Sequence, residues 1–139
     1  RFCVRNSGVV AVIEGVGDHA CEYMTGGEVY IFGPVGKNLA AGMSGGLVYI
    51  LIENENINHQ INYDIVFVEK INTKDIEKIK FFLNAHYVRT KSKKAKIILD
   101  SFEDCVSRFI KVIPKEIFKL LESKGINIDD FDFVNPKLN

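Results

Sequence analysis

Asp18, His19, Cys21 and Glu22 gather four potential ligands or acid–base groups within five residues of one another. A Cys–His nucleophile pair or a metal site draws on these residue types. Just upstream, Gly15-x-Gly17-x-x-Ala20 follows the apolar run Val9 to Ile13 in the manner of the dinucleotide fingerprint. In that fingerprint the glycines let a pyrophosphate approach a helix N-terminus. Farther along, Arg89-Thr90-Lys91-Ser92-Lys93-Lys94-Ala95-Lys96 is a basic run of the kind that meets phosphate.

The surroundings argue against each reading. A crossover helix needs about a dozen residues, yet Thr25-Gly26-Gly27 opens the next strand pattern almost at once. One repeat later Asp18, His19, Cys21 and Glu22 are replaced by Lys37, Asn38, Ala40 and Ala41, so the position does not demand them. His59 lies in a polar loop and His86 on an apolar helical stripe, where a hydrogen-bonded packing histidine is the usual case. The basic run lacks interleaved aromatics and reads as a solvated helix start that docks an acidic neighbour. No catalytic, cofactor-binding or metal-binding residue is therefore assigned.

The elements that would carry these groups follow a period of 19 residues. Ser7-Gly8-Val9-Val10-Ala11-Val12-Ile13 returns as Gly26-Gly27-Glu28-Val29-Tyr30-Ile31-Phe32, and again as Gly45-Gly46-Leu47-Val48-Tyr49-Ile50-Leu51. A fixed period near twenty with β-branched pairs predicts stacked coils. The expected fold is mainly β with C-terminal helices: a right-handed parallel β-helix capped by about three α-helices. Val10, Val29 and Val48 would form an inward ladder, with Glu28, Tyr30 and Tyr49 on the outer face. Gly8, Gly27 and Gly46, and Gly17 with Gly36, would occupy the turns.

Coils are predicted over 1–70, with Ile65 to Val68 as a fourth strand after a loop rich in asparagine (Asn54, Asn56, Asn58, Asn62). A helical cap follows over 71–125. Ile76, Ile79, Leu83 and His86 form one stripe behind a Thr73 cap, and Ala95, Ile98, Leu99 and Phe102 a second. A third helix opens at Pro114 and stops at Gly125. A polar tail is expected over 126–139.

At 139 residues, with Lys+Arg and Asp+Glu both at 18, the chain suits one domain and argues against a nucleic-acid or membrane-surface protein. The odd set Cys3, Cys21 and Cys105 reads as free thiols in a reducing compartment. Starting at Arg1, partway through a repeat, the sequence is expected to be a piece of a longer chain.

Several strings resemble the C-terminal domain of the glutamate synthase large (α) subunit. They are Arg1-Phe2-Cys3-Val4-Arg5-Asn6-Ser7-Gly8, Glu14-Gly15-Val16-Gly17-Asp18-His19, Cys21-Glu22-Tyr23-Met24-Thr25-Gly26-Gly27 and Ala40-Ala41-Gly42-Met43-Ser44-Gly45-Gly46. Phe109-Ile110-Lys111-Val112-Ile113-Pro114 continues the likeness, which covers about residues 1 to 122. The resemblance implies a parent that makes glutamate from glutamine and 2-oxoglutarate in nitrogen assimilation. That parent would carry a glutaminase domain, an FMN barrel and an iron–sulfur cluster, with NAD(P)H or ferredoxin as donor. This domain would be non-catalytic and hold the others in register. Its partners would be other domains of the same subunit and a small electron-donating subunit or domain, in the cytoplasm or a plastid-type organelle. Two alternatives are a β-solenoid subunit of another redox complex, such as formylmethanofuran dehydrogenase, and an autonomous dinucleotide-binding enzyme.

Overall fold

Strands β1 (Ser7–Ile13), β2 (Thr25–Ile31) and β3 (Gly45–Leu51) run parallel, side by side, in a computed structural model that describes residues 1–53, 57 and 60–136. Near-continuous apolar runs such as Val29-Tyr30-Ile31-Phe32 and Leu47-Val48-Tyr49-Ile50-Leu51 suit a parallel sheet packed on both faces. After β3 the direction changes. Strand β5 (Phe109–Pro114) pairs antiparallel with β3 and also with β4 (Val66–Lys70), giving the order β1-β2-β3-β5-β4. Helices α1 (Thr73–Thr90), α2 (Lys93–Asp100), α3 (Phe102–Cys105) and α4 (Lys115–Ser123) join them, with short 3₁₀ turns at Val106–Arg108 and Ile128–Asp130.

The expected right-handed parallel β-helix is not what forms; the molecule is a small mixed α/β domain. Two physical features account for this. The segments between the parallel strands return through turns in which alternate residues are left-handed (His19, Cys21 and Tyr23; then Asn38, Ala40 and Gly42), and they add no second sheet among the described residues. Parallel stacking also stops after three strands, because β5 takes the free edge of β3. The strand expected as a fourth coil, β4, lies at the far edge. The helices lie against a face of the sheet instead of covering its last edge.

That placement also corrects the expected facing. Both faces are buried. Val29, Ile31, Val48 and Ile50 meet Ala20, Cys21, Met24, Leu39 and Met43 from the turns. Tyr30, Phe32, Leu47, Tyr49 and Leu51 meet Ile79 and Leu83 of α1, Ile98 of α2 and Leu121 of α4. Each fully buried side chain of this size contributes roughly 1.5–3 kcal/mol.

Register explains the remaining difference. Val29 pairs with Val48, which pairs with Val112. Val10 instead pairs with Glu28, and Ala11 takes the place beside Val29. A one-residue slip sends a side chain to the opposite face, and Val10 accordingly packs on the helix side. The register shifts fall where Gly27 and Gly46 sit at φ +93° and +85°, a bulge that a β-branched residue would strain.

Helix α1 starts at a capping box. The Asn72 side chain accepts from the Asp75 amide while the Asp75 carboxylate accepts from the Asn72 amide, so Asn72, not Thr73, is the cap. At the end of α4, Gly125 (φ +66°) closes the helix, with Ile126 N–H donating to the Leu121 carbonyl at 3.0 Å. The segment expected as a polar tail folds back over the sheet: Phe133 is buried and its carbonyl accepts from Gly27 N–H at 2.7 Å.

Candidate functional site

The turn group is assembled from backbone left-handed at His19 and Cys21. Asp18 Oδ1 accepts from Lys37 N–H at 2.6 Å, and His19 N–H donates to the Lys37 carbonyl at 3.0 Å, tying this turn to the next. The His19 ring is half exposed, and its Nδ1 lies 2.6 Å from Glu22 Oε1. Cys21 is fully buried among aliphatic side chains. Burial, and secondarily the neighbouring Cys3, push its thiol up to about 12. A thiol held that high supplies very little thiolate near neutral pH, too little for a fast catalytic nucleophile. Gly15 and Gly17 lie in a turn that runs to β2 without an intervening helix, so no helix N-terminus stands ready for a pyrophosphate.

Beneath α1 lies a second constellation that sequence reasoning missed. Tyr30 OH donates to Glu28 Oε2 at 2.7 Å, and Lys78 Nζ donates to Glu28 Oε1 at 2.5 Å. Tyr49 OH donates to Asp75 Oδ1 at 2.6 Å, and Lys111 Nζ donates to Asp75 Oδ2 at 2.7 Å. The two tyrosine rings stack with centroids 5.0 Å apart. Lys111 and Asp75 are buried as an ion pair, their side chains 4% and 5% exposed. Burial first, then the carboxylates, raises both phenols far above their ordinary range, so they stay protonated donors. The signal was present in the sequence: Glu28 interrupts one strand pattern, Lys111 another, and Tyr30 and Tyr49 share a register.

The chemistry open to this network is limited by space and by saturation. The adjoining cavity, lined in part by Tyr49, Asp75 and Lys111, holds about 30 Å³, room for water but far below the roughly 300–1,000 Å³ of ligand pockets. Among the described residues every buried side-chain polar atom has a partner. Asp75 thus caps α1 while binding Tyr49 of β3 and Lys111 of β5, which fixes the helix on the sheet.

A third group sits where β1 ends. Ser92 Oγ donates to Glu14 Oε1, and His86 Nε2 lies 3.3 Å from the same oxygen. The carboxylate is between serine and imidazole, whereas nucleophile activation needs the imidazole between. Ser92 Oγ is also the N-cap acceptor for Ala95 N–H at 3.1 Å. These residues line an open cleft of about 730 Å³ with Lys93 and Lys94. Within the basic run, Lys94 pairs with Glu53 at 3.0 Å and Lys96 with Asp100 at 3.0 Å. Among the described residues no group of three or more His, Cys, Asp or Glu is placed to hold a metal ion, and no helix is long and apolar enough to cross a membrane.

Residues 1–115 match the family model described as the GXGXG motif. The chain is 50% identical over 125 residues to the glutamate synthase [NADPH] large chain of Bacillus subtilis, covering 88% of this chain and 8% of that protein. It is 44% identical over 115 residues to the ferredoxin-dependent glutamate synthase of Antithamnion sp., covering 82% and 8%. Against glutamate synthase [NADH] of Schizosaccharomyces pombe it is 45% identical over 126 residues, covering 90% and 6%. The chain thus spans under a tenth of the length of these relatives.

Proposed function

The chain belongs to the GXGXG motif family, and from that membership we propose that it is a non-catalytic domain of a glutamate synthase large chain. In this reading the parent makes glutamate from glutamine and 2-oxoglutarate, and the domain holds the glutaminase and FMN synthase domains in register. The observation that carries the reading is 50% identity over nearly the whole chain to a large chain of that name. The site geometry supports it. Burial holds the resting Cys21 thiol protonated, a poor start for a fast catalytic nucleophile. The turn leads into no helix N-terminus, and the most elaborate polar network joins α1 to the sheet without leaving room for a substrate.

FMN and the iron–sulfur cluster would then belong to other domains of the same large chain, with a small electron-donating subunit or domain as a further partner. Relatives named for NADPH, NADH and ferredoxin are all similar to this chain, so the donor is chosen elsewhere in the parent. The free thiols and a relative named chloroplastic/mitochondrial favour the cytoplasm or a plastid-type organelle. The test is the coding sequence upstream of Arg1, with the activity of its product. A glutaminase domain, a barrel and a cysteine cluster, with glutamine-dependent glutamate formation, are expected. An upstream region lacking all three would overturn the proposal.

A further inference from the structure

Cys21 N–H donates to the Phe2 carbonyl at 2.8 Å, which makes Cys3 and Cys21 neighbours in successive turns. The two share one backbone conformation, with φ 56° and 57°, and both side chains pack into the same aliphatic cluster. Adjacent rungs lie about 4.7–4.9 Å apart, inside the roughly 4.4–6.8 Å span of Cα atoms that a disulfide bridges. The next rung of the column is Ala40, whose N–H donates to the Ala20 carbonyl at 2.9 Å, so no third thiol competes there. Cys105 lies on the opposite face of the sheet, in the helix-side cluster.

We propose that Cys3 and Cys21 are a reversible redox pair, a dithiol that closes to a disulfide between successive turns in exchange with a small-molecule disulfide. Cys3 is half-buried and Cys21 fully buried, so exchange begins at Cys3. Its thiolate attacks one sulfur of the oxidant, forming a mixed disulfide and releasing one thiolate. The Cys21 sulfur, giving up its proton, then attacks the Cys3 sulfur and expels the second thiolate. The protein loses two hydrogens, and their electrons leave as two reduced small thiols. Burial raises both thiols, which makes closure slow, as suits a bond that forms only under sustained oxidation. In reducing compartments disulfides are usually of this transient, sensing kind.

The test uses the full natural chain containing residues 1–139, natively folded, exposed to oxidised glutathione, quenched with acid, alkylated and mapped by peptide mass spectrometry. The expected product is a Cys3–Cys21 linked peptide pair, reversed by dithiothreitol, with Cys105 alkylated as a free thiol. Cys3→Ser should abolish the link while folding, read by circular dichroism, is unchanged. In urea the same treatment should scramble all three cysteines. Glutathione retained on Cys3 with Cys21 free, two thiols that stay reduced, or native links to Cys105 would each overturn the proposal.

Discussion

On the turn face of the sheet, Val29, Ile31, Val48 and Ile50 meet side chains from turns that are tied layer to layer by backbone hydrogen bonds. On the helix face, Tyr30 and Tyr49 reach α1 through two carboxylates and two lysines. The first face tolerates a buried charge poorly because it has no polar partner to offer. The second is specified by polar side chains distant in sequence, and each depends on all the others. Backbone-held stacking therefore repeats along the chain, whereas the side-chain network occurs once and sets where the helices sit.

The largest expected effect tests the turn face. Val29→Asp places a charge among Cys21, Met24, Val48 and Leu39, none of which can pair with it, and should cost more than about 4 kcal/mol. Urea denaturation of the parent chain, or of this domain within it, gives the number. Under the proposed scaffold role the same change should uncouple glutamine hydrolysis from glutamate formation while leaving part of the hydrolysis. A loss under about 1 kcal/mol would mean that the face is not dry.

On the helix face, Lys111→Met leaves Asp75 buried without its cation and should cost about 3 kcal/mol. Adding Asp75→Asn should recover more than half of that loss, since the unpaired charge is then gone. Glu28→Ala belongs to the same test and should cost about 2 kcal/mol, because it strands the Tyr30 hydroxyl. The outer-face expectation for Glu28 implied under about 0.5 kcal/mol, as at ordinary surface positions. Additive losses at Lys111 and Asp75 would show that the pair does not act as a unit.

These pairs also mark how far the sequence could be read. The repeat located β1, β2 and β3, because stacked turns demand similar residues at similar places, but the glycines it placed in turns, Gly8, Gly27 and Gly46, lie inside those strands, where Gly27 and Gly46 form bulges. It did not reveal β5, whose apolar run is interrupted by Lys111; only the distant Asp75 makes that lysine admissible in a buried strand. Nor did it reveal the slip at Val10. A repeat of apolar residues looks alike after a shift of one when both faces are buried. The turn residues Asp18, His19, Cys21 and Glu22 were legible as a cluster. The Glu28–Tyr30–Tyr49–Asp75–Lys78–Lys111 network was legible only as separate exceptions, Glu28 and Lys111 each breaking a strand pattern, because its members are scattered over more than eighty residues of sequence and nothing local joins them.

A smaller effect separates two turn glycines. A Cβ at Gly36 would lie 2.5 Å from the Asp18 backbone nitrogen, whereas one at Gly17 would meet nothing within 4 Å. Neither has positive φ, so contact alone decides. Gly36→Ala should cost about 1–3 kcal/mol through overpacking, and Gly17→Ala should stay within about 0.5 kcal/mol. Equal costs in thermal or urea unfolding would show that the layers are not in contact there.

The smallest expected effect falls on the residue whose type invites the most chemistry. His19 is half exposed, its ring meets Glu22, and its left-handed backbone hydrogen-bonds to the next turn through N–H, not through the imidazole. Truncation to alanine removes a half-exposed side-chain contact to Glu22, which contributes at most about 1 kcal/mol. The one adjacent nucleophile, Cys21, remains buried and protonated. His19→Ala in the parent enzyme should therefore leave kcat within roughly tenfold, well short of the 10²–10⁴ lost with a general acid or base. The measurement is steady-state glutamate formation beside a denaturation curve. A thousandfold fall in kcat with unfolding and domain assembly unchanged would move this turn from the scaffold to the reaction, and the contrast between the two faces would then have to be drawn around a catalytic site.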